Sequence, residues 1–286
     1  MSVRKNWQAG GVAPEGTVEG MDGTEGEAPA KDRQFITALA RGLEVLRAFE
    51  ASDPFLGNQE IAQRTGLPKP TVSRITYTLT QLGYLKYLPK FEKYQLGTGV
   101  LAFNQAYLAS MAVRDVARPH MLELAEATRS TVALGDRDRL TMVYIELQRS
   151  VSQVILHQDV GSRIPLGHSA MGWAWLAHAP EALRRQVMDG LKAQDGKEWP
   201  STRKLIQAAE KEIAETGFCV GAGKWLPDIN GAGAAFASPD GQSVYAFNLG
   251  GPSYVLKEER LREEYGPQLV GMIRAVEADY LRRGFR

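Results

Sequence analysis

At 286 residues the chain is long enough for two domains of roughly 150 residues each. Its 44% hydrophobic and 23% charged residues are typical of a globular protein and exclude a largely disordered one. We find no apolar run of the ~20 residues needed for a membrane span, no secretory signal after Arg4 and Lys5, and only one cysteine, Cys219. A single cysteine excludes an intrachain disulfide, so these features predict a cytoplasmic protein without a membrane partner.

The net charge of +1 is unevenly distributed along the chain. Residues 33–96 carry nine basic and five acidic residues, whereas residues 1–32 carry three basic and six acidic residues. A small basic module beside a neutral remainder favours binding to a polyanion, although an excess of four charges also occurs in domains that bind none. Residues 1–32 are rich in Gly and Glu, and they predict a disordered tail.

Three helices are predicted at the start of the ordered chain. They span Phe35–Glu50, Gln59–Thr65 and Pro68–Leu82. The first has an apolar stripe, and the third has an inward face. The apolar stripe of the first helix consists of Ile36, Leu39, Leu43 and Leu46. The inward face of the third helix consists of Val72, Ile75, Leu79 and Leu82. Asn58 is predicted to cap the second helix, and Gly66 and Gly83 to end the second and third, because glycine readily adopts positive φ.

An alternating pattern then predicts a two-stranded hairpin around a turn at residues 89–92, with Leu85 and Tyr87 facing Tyr94 and Leu96. Three helices followed by a hairpin indicate a winged helix-turn-helix, which we place at residues 33–97. The apolar-sided helix that follows predicts a linker at residues 98–112.

Short β-like runs alternate with helices in residues 113–286, which predicts an α+β domain with a mixed sheet. Pro119 is predicted to begin a helix that ends at Thr128. The predicted strands are Val132–Gly135, Met142–Leu147, Val154–His157, Phe218–Val220, Gly231–Ala237 and Tyr245–Leu249. The later predicted helices are Ala170–Ala179, Ala182–Leu191, Thr202–Thr216 and Leu256–Arg283.

The outward face of the third helix carries side chains that suit a major groove. These candidates are Lys69, Thr71, Ser73, Arg74 and Tyr77. Arginine binds a guanine edge with two hydrogen bonds, so Arg74 is the principal candidate for base contact. Three hairpin lysines and the start of the second helix are candidates for phosphate contact: Lys86, Lys90, Lys93 and Gln59. An ordinary solvent-exposed face would show the same polarity.

No catalytic or metal-binding motif is complete. Gly167–Met171 lacks the last glycine of a nucleophile elbow, Gly217–Lys224 is one residue too long for a phosphate-binding loop, and Gly231–Phe236 lacks the last glycine of a dinucleotide fingerprint. The four histidines show no metal-ligand spacing. We therefore predict no enzyme activity, no cofactor and no metal, with Cys219 as a core residue.

Several short motifs occur together in one register. They are Ala38-Leu-Ala-Arg-Gly-Leu-Glu-Val-Leu, Thr65-Gly-Leu-Pro-Lys-Pro-Thr-Val-Ser-Arg, Tyr94-Gln-Leu-Gly, Ala117-Arg-Pro-His-Met, Gly161-Ser-Arg-Ile-Pro-Leu and Ser169-Ala-Met-Gly. From about residue 35 onward the chain resembles IclR-family bacterial transcription regulators. The resemblance implies double-stranded operator DNA as a partner, a dimer or dimer of dimers, and a GAF-like effector-binding domain at residues 113–286.

The helix that begins at Ala170 offers free backbone N–H groups, which favour a ligand carboxylate near Ser169. The resemblance places an effector pocket here and implies a small carboxylate or aromatic acid as effector. The candidate contacts are Leu166, His168, Ser169, Met171, Asp228, Asn230 and Asn248. A purely structural role for Ser169 as a helix cap, and for His168 as a core side chain, fits the same pattern.

Together these observations predict a ligand-responsive, DNA-binding transcription regulator, either a repressor or an activator. One alternative is a DNA-binding regulator whose second domain only mediates oligomerisation and senses nothing. A second alternative is an enzyme with an accessory DNA-binding module, which the incomplete motifs disfavour.

Overall fold

The computed structural model describes residues 34–150 and 158–284. The predicted tail at residues 1–32 and the predicted strand Val154–His157 lie outside the described residues. The chain divides into two compact units, Met1–Tyr107 and Leu108–Arg286. The finer domain limits, with a linker at residues 98–112, remain a prediction.

The first unit has the predicted order of three helices and a hairpin. Its elements are α1 (Thr37–Arg47), α2 (Asn58–Thr65), α3 (Lys69–Gln81), β1 (Leu85–Leu88) and β2 (Lys93–Leu96), followed by α4 (Gly99–Ser110). The hairpin is antiparallel, with Leu85 opposite Leu96. Gly66 ends α2 with a φ of +68°, a conformation that costs glycine little. The elements of a winged helix-turn-helix are therefore confirmed.

The small core of the first unit corrects the predicted inward face of α3 and leaves most of the apolar stripe of α1 exposed. It is formed by Val45, Ala48, Phe49, Leu56, Ile61, Val72 and Leu85. On α1 the buried side contains Val45, whereas Ile36, Leu39 and Leu43 are exposed. On α3, Thr76 is buried and Leu82 is exposed. A core of this size covers one narrow side of each helix, so an apolar stripe elsewhere on α1 remains in solvent.

The second unit contains a six-stranded sheet in the order β5-β4-β3-β8-β7-β6. The strands are β3 (Thr131–Asp138), β4 (Thr141–Arg149), β5 (Arg163–Pro165), β6 (Cys219–Val220), β7 (Ile229–Ala237) and β8 (Val244–Pro252). The α+β class is confirmed. Every described strand pair is antiparallel, so the sheet is not mixed as predicted, and β5 was not predicted. Short turns join β3 to β4 and β7 to β8, and such turns connect antiparallel neighbours.

Helices cover both faces of this sheet. They are α5 (Ala112–Thr128), α6 (Ala170–His178), α7 (Glu181–Asp195), α8 (Trp199–Thr216), α9 (Glu258–Arg260) and α10 (Gly266–Arg282), with a π-helical segment at Leu261–Tyr265. One core contains residues of α5 and α10, and the other contains residues of α6, α7 and α8. Among the described residues, no helix combines the length and apolarity of a membrane span.

Pro119 lies inside α5 instead of beginning it. The turn before Pro119 contributes Val113, Val116 and Ala117 to the core, and Pro119 itself is exposed. Burial of that apolar face therefore holds the helix together across a proline that removes one backbone hydrogen bond.

Helix α6 lies very close to its neighbours in the chain and in the sheet. A Cβ on Gly172 would lie 2.1 Å from the Leu166 carbonyl oxygen, and a Cβ on Gly233 of β7 would lie 2.3 Å from the Ala170 carbonyl. Neither contact leaves room for a methyl group. Gly233 therefore allows the start of α6 to pack against β7, and Gly172 allows it to pack against the backbone of Leu166.

Candidate functional site

Helix α3 presents a polar face to solvent. Lys69, Ser73 and Arg74 are exposed, Thr71 is half-buried, and Tyr77 is 67% exposed. The Arg74 guanidinium forms no hydrogen bond or ion pair with another described residue. This face is therefore available to a partner outside the chain.

The opposite side of α3 is attached to α2. The buried Thr76 hydroxyl donates to Asn58 Oδ1 over 3.1 Å. Asn58 was predicted to cap α2, but it lies inside the helix, and Gly57 occupies the N-cap position. The Asn58 side chain therefore joins the two helices, and its amide is turned away from the helix end.

A carboxylate connects the wing to the start of α2. Glu60 Oε2 accepts a hydrogen bond from the Gly57 N–H over 2.6 Å, and Oε1 accepts one from Lys93 Nζ over 3.0 Å. Lys93 Nζ also donates to the Phe55 carbonyl oxygen over 3.2 Å. The Gly57 N–H and then Lys93 lower the pKa of Glu60. Lys93 therefore has partners inside the first unit, whereas Lys86 and Lys90 are exposed on the wing.

This network predicts a pH dependence of local stability. Because the folded-state pKa of Glu60 lies below its ordinary value of 4.5, the carboxylate stabilises the fold above that pH. The stabilisation is lost as the pH falls through the folded pKa. In Glu60→Gln we expect faster amide exchange across α2 and β2 at pH 7, and a smaller loss of protection on acidification than in the unmodified protein. Hydrogen exchange followed by mass spectrometry, corrected for intrinsic rates, measures both.

Glu92→Gln is the control, because Glu92 is exposed in the wing turn. We expect this variant to retain the protection and the pH dependence of the unmodified protein. Equal behaviour of the two glutamine variants would contradict a specific role for Glu60.

A cavity lies in the second unit, between the start of α6 and the sheet. Its volume is about 40 Å³, and it is partly open to solvent. The lining residues are Thr131, Tyr144, Gln158, Ile164, Ser169, Ala170, Met171, Gly221, Trp225, Ile229, Asn230, Gly231, Asn248 and Gly250. No lysine, arginine, histidine or acidic residue is among these described lining residues.

Polar groups lie on two sides of the cavity. On one side, Ser169 Oγ caps α6 by accepting from the Gly172 N–H over 3.2 Å, and the N–H groups of the first turn have no carbonyl partner within the helix. On the other side, Asn248 Nδ2 donates to the Tyr144 hydroxyl over 3.4 Å. Asn230 Nδ2 donates to the Leu256 carbonyl oxygen over 2.8 Å, so this amide is part of the wall.

The structure brings four of the seven candidate effector contacts to the cavity: Ser169, Met171, Asn230 and Asn248. The other three are placed elsewhere. Leu166 is buried in the core and Asp228 is exposed. His168 Nε2 lies 3.2 Å from Asp195 Oδ2, and Thr202 donates to the same carboxylate over 2.5 Å, so His168 faces α7 and α8.

Sequence reasoning missed Tyr144, Gln158 and Trp225 as lining residues. Tyr144 lies within a predicted strand, but alternation along a strand does not tell which face meets the cavity. The buried Cys219 is a core residue, and burial raises the pKa of its thiol, which disfavours the thiolate.

Two family models match the chain. The IclR helix-turn-helix domain matches residues 38–89, and the C-terminal domain of the bacterial transcriptional regulator IclR matches residues 105–278. The second match alone covers more than half of the chain. The chain belongs to the IclR family.

Curated and solved IclR-family proteins agree with this assignment. The HTH-type transcriptional regulator TsaQ1/TsaQ2 of Comamonas testosteroni is 35% identical over 246 residues, which cover 85% of this chain and 88% of the relative. The crystal structure of an IclR-family transcriptional regulator from Brucella abortus has a TM-score of 0.80 at 41% identity, and covers 87% of this chain and 94% of that chain. This IclR-family protein is therefore a DNA-binding transcription regulator and not an enzyme.

A more distant structure shares the IclR fold. It is an IclR homolog from Microbacterium hydrocarbonoxydans in complex with 4-hydroxybenzoate, with a TM-score of 0.63 at 23% identity. The match covers 84% of this chain and 99% of that chain.

Proposed function

We propose that this protein is a ligand-responsive regulator that reads operator DNA with α3 and binds a small organic acid in the cavity at the start of α6. The cavity is the observation that carries the sensing part of the proposal. Its described lining residues carry no charge, and they combine apolar walls with a few polar groups, as the linings of small-molecule sites do. The regulator and its DNA are expected in the cytoplasm.

For DNA, the exposed face of α3 supports direct reading of base edges. Arg74 is free to bind a guanine through two hydrogen bonds, with Ser73 and Tyr77 beside it on the exposed face. Lys86 and Lys90 supply phosphate contacts, which position the protein without selecting a sequence. Lys93 holds the wing to α2, so its contribution to binding is structural.

For the effector, the start of α6 supplies the binding site for an anion. The helix dipole and the first-turn N–H groups that Ser169 does not cap favour a single carboxylate near Ser169 and Ala170. The homolog that was crystallised with 4-hydroxybenzoate also supports an aromatic acid as the class of ligand. Sensing requires that the effector bind the DNA-competent and DNA-free states with different affinities.

The test uses the full chain and a DNA fragment from its own promoter. We expect tighter binding to this fragment than to random DNA at each salt concentration, and a shift in that affinity on addition of one or more small carboxylates. Ser169→Ala should weaken the response to the compound while operator binding without it is retained. A panel of small carboxylates and aromatic acids that changes neither the melting temperature nor the DNA affinity would favour the alternative of a non-sensing oligomerisation domain.

We also propose a homodimer, because α1 and α4 expose apolar side chains. Leu39 is 60% exposed, Leu43 is 50% exposed and Phe103 is 61% exposed. Exposed apolar surface of this kind marks an interaction face. Two copies are also needed to place reading helices one DNA turn apart.

Leu39→Glu is expected to weaken the dimer at least about tenfold, because it places a charge in an apolar contact. Sedimentation equilibrium of the full chain measures the dissociation constant. Ala38→Glu is the control, since Ala38 is exposed on the same helix but outside the apolar stripe. Equal weakening by both variants would show that added charge alone is responsible.

A further inference from the structure

Two buried acceptor atoms at the cavity have no hydrogen-bond donor among the described residues. Five buried side-chain polar atoms lack a partner among the described residues, and three of them are arginine Nε atoms. The other two are Gln158 Oε1 and Asn248 Oδ1, and both residues line the cavity. An unpaired buried acceptor is destabilising, so a bound molecule that donates hydrogen bonds would relieve this cost.

The surroundings of Asn248 define which group fits there. Asn248 Nδ2 donates to the Tyr144 hydroxyl oxygen over 3.4 Å, so the Tyr144 O–H hydrogen is left to donate elsewhere. Burial raises the pKa of Tyr144 to about 12, which keeps the phenol protonated at neutral pH. An acceptor, Asn248 Oδ1, and a donor, the Tyr144 O–H, are therefore next to each other at the cavity.

We infer that the effector is a hydroxylated monocarboxylate whose hydroxyl group binds Asn248 and Tyr144, an inference that rests on the proposed function. A hydroxyl donates to Asn248 Oδ1 and accepts from Tyr144 at the same time. The ligand hydroxyl also fits if the Asn248 amide is rotated by half a turn, because the hydroxyl oxygen then accepts a hydrogen bond from Nδ2. The carboxylate occupies the start of α6.

A second carboxylate is excluded by charge. With Asn248 Oδ1 towards the ligand, a carboxylate, which only accepts hydrogen bonds, would leave that oxygen without a donor. No cationic side chain is present among the described lining residues to pair with it. Burial of an unpaired carboxylate costs far more than burial of a neutral hydroxyl. Ile164, Met171 and Trp225 then surround the apolar body that separates the two polar ends.

Two matched series of compounds test this class by isothermal titration of the full chain. The aromatic series is benzoate, 4-hydroxybenzoate and terephthalate, and the aliphatic series is butyrate, 3-hydroxybutyrate and succinate. In at least one series we expect the hydroxylated compound to bind at least about tenfold more tightly than both its parent and the dicarboxylate.

Variants assign this preference to Asn248. Asn248→Leu should reduce the preference for the hydroxylated compound to roughly threefold or less. Asn248→Asp should keep it, because a carboxylate also accepts from the ligand hydroxyl, and should weaken the dicarboxylate further. Ser169→Ala is the matched control at the other end of the cavity, and it should weaken all members of a series by the same factor. Circular dichroism verifies that each variant is folded.

The outcomes separate this inference from the function it rests on. Tightest binding of the dicarboxylate, or an unchanged preference in both Asn248 variants, would overturn the inference and leave sensing intact. Failure of every compound in both series to bind would overturn the sensing proposal itself.

Discussion

Arg74→Ala is expected to reduce the preference for operator over random DNA by about 10- to 100-fold, because a bidentate arginine–guanine contact contributes about 1–3 kcal/mol of discrimination. The side chain is exposed on α3 and has no ion-pair or hydrogen-bond partner among the described residues, so its loss leaves the fold intact. Fluorescence anisotropy with operator and random fragments, at several salt concentrations, measures the effect.

Lys86→Ala is the matched control on the wing. A lysine that contacts phosphate raises affinity for every sequence alike, so its removal should lower affinity for operator and random DNA equally and reduce the slope of log affinity against log salt by about one. If Arg74→Ala also weakened operator and random DNA equally, α3 would not be the element that reads the sequence.

Gly172→Ala is expected to destabilise the second unit by about 3 kcal/mol, which corresponds to a loss of roughly 10 °C in melting temperature. The added Cβ would lie 2.1 Å from the Leu166 carbonyl oxygen and 2.6 Å from its Cα. Backbone atoms cannot rotate away as a side chain would, so the start of α6 must shift. The same shift should abolish ligand binding in the cavity. Differential scanning calorimetry and titration measure the two effects.

Gly271→Ala makes the same chemical change in a helix where it meets no obstacle. Gly271 is exposed within α10, and a Cβ there has no atom within 4 Å. Alanine should stabilise the protein by about 0.5–1 kcal/mol through helix propensity. If both variants gained stability, the close approach at Gly172 would not constrain α6.

Local patterns explain which parts of the fold were predictable from the sequence. The helices of the first unit and its hairpin depend on nearby residues, such as the positive φ of Gly66 and the alternation at Leu85 and Tyr87, so both were found. The side of α1 that is buried depends on where α3 lies, so the apolar stripe that contains Leu39 does not reveal that this side chain is exposed. Pro119 was misplaced for a similar reason, because tertiary burial overrides a local helix breaker.

The cavity was predictable only at the helix that bounds it. Ser169 was found because a helix cap is a local signal, and the cavity lies beside it. His168 is the adjacent residue, yet its ring turns towards Asp195, and no sequence pattern indicates that direction. Tyr144 and Asn248 meet only because β4 and β8 both pair with β3, a register that single-sequence patterns do not determine.

The close approach of α6 to β7 also bears on how the proposed effector site can diversify. Beside the start of α6, a Cβ at Gly233 would lie 2.3 Å from the Ala170 carbonyl, so this part of the wall cannot be reshaped by adding a side chain there. A new ligand must then be accommodated by exchanges at Tyr144, Trp225 or Asn248 on the remaining walls. Re-engineering for a different effector is accordingly expected to succeed at those three positions and to fail at Gly233.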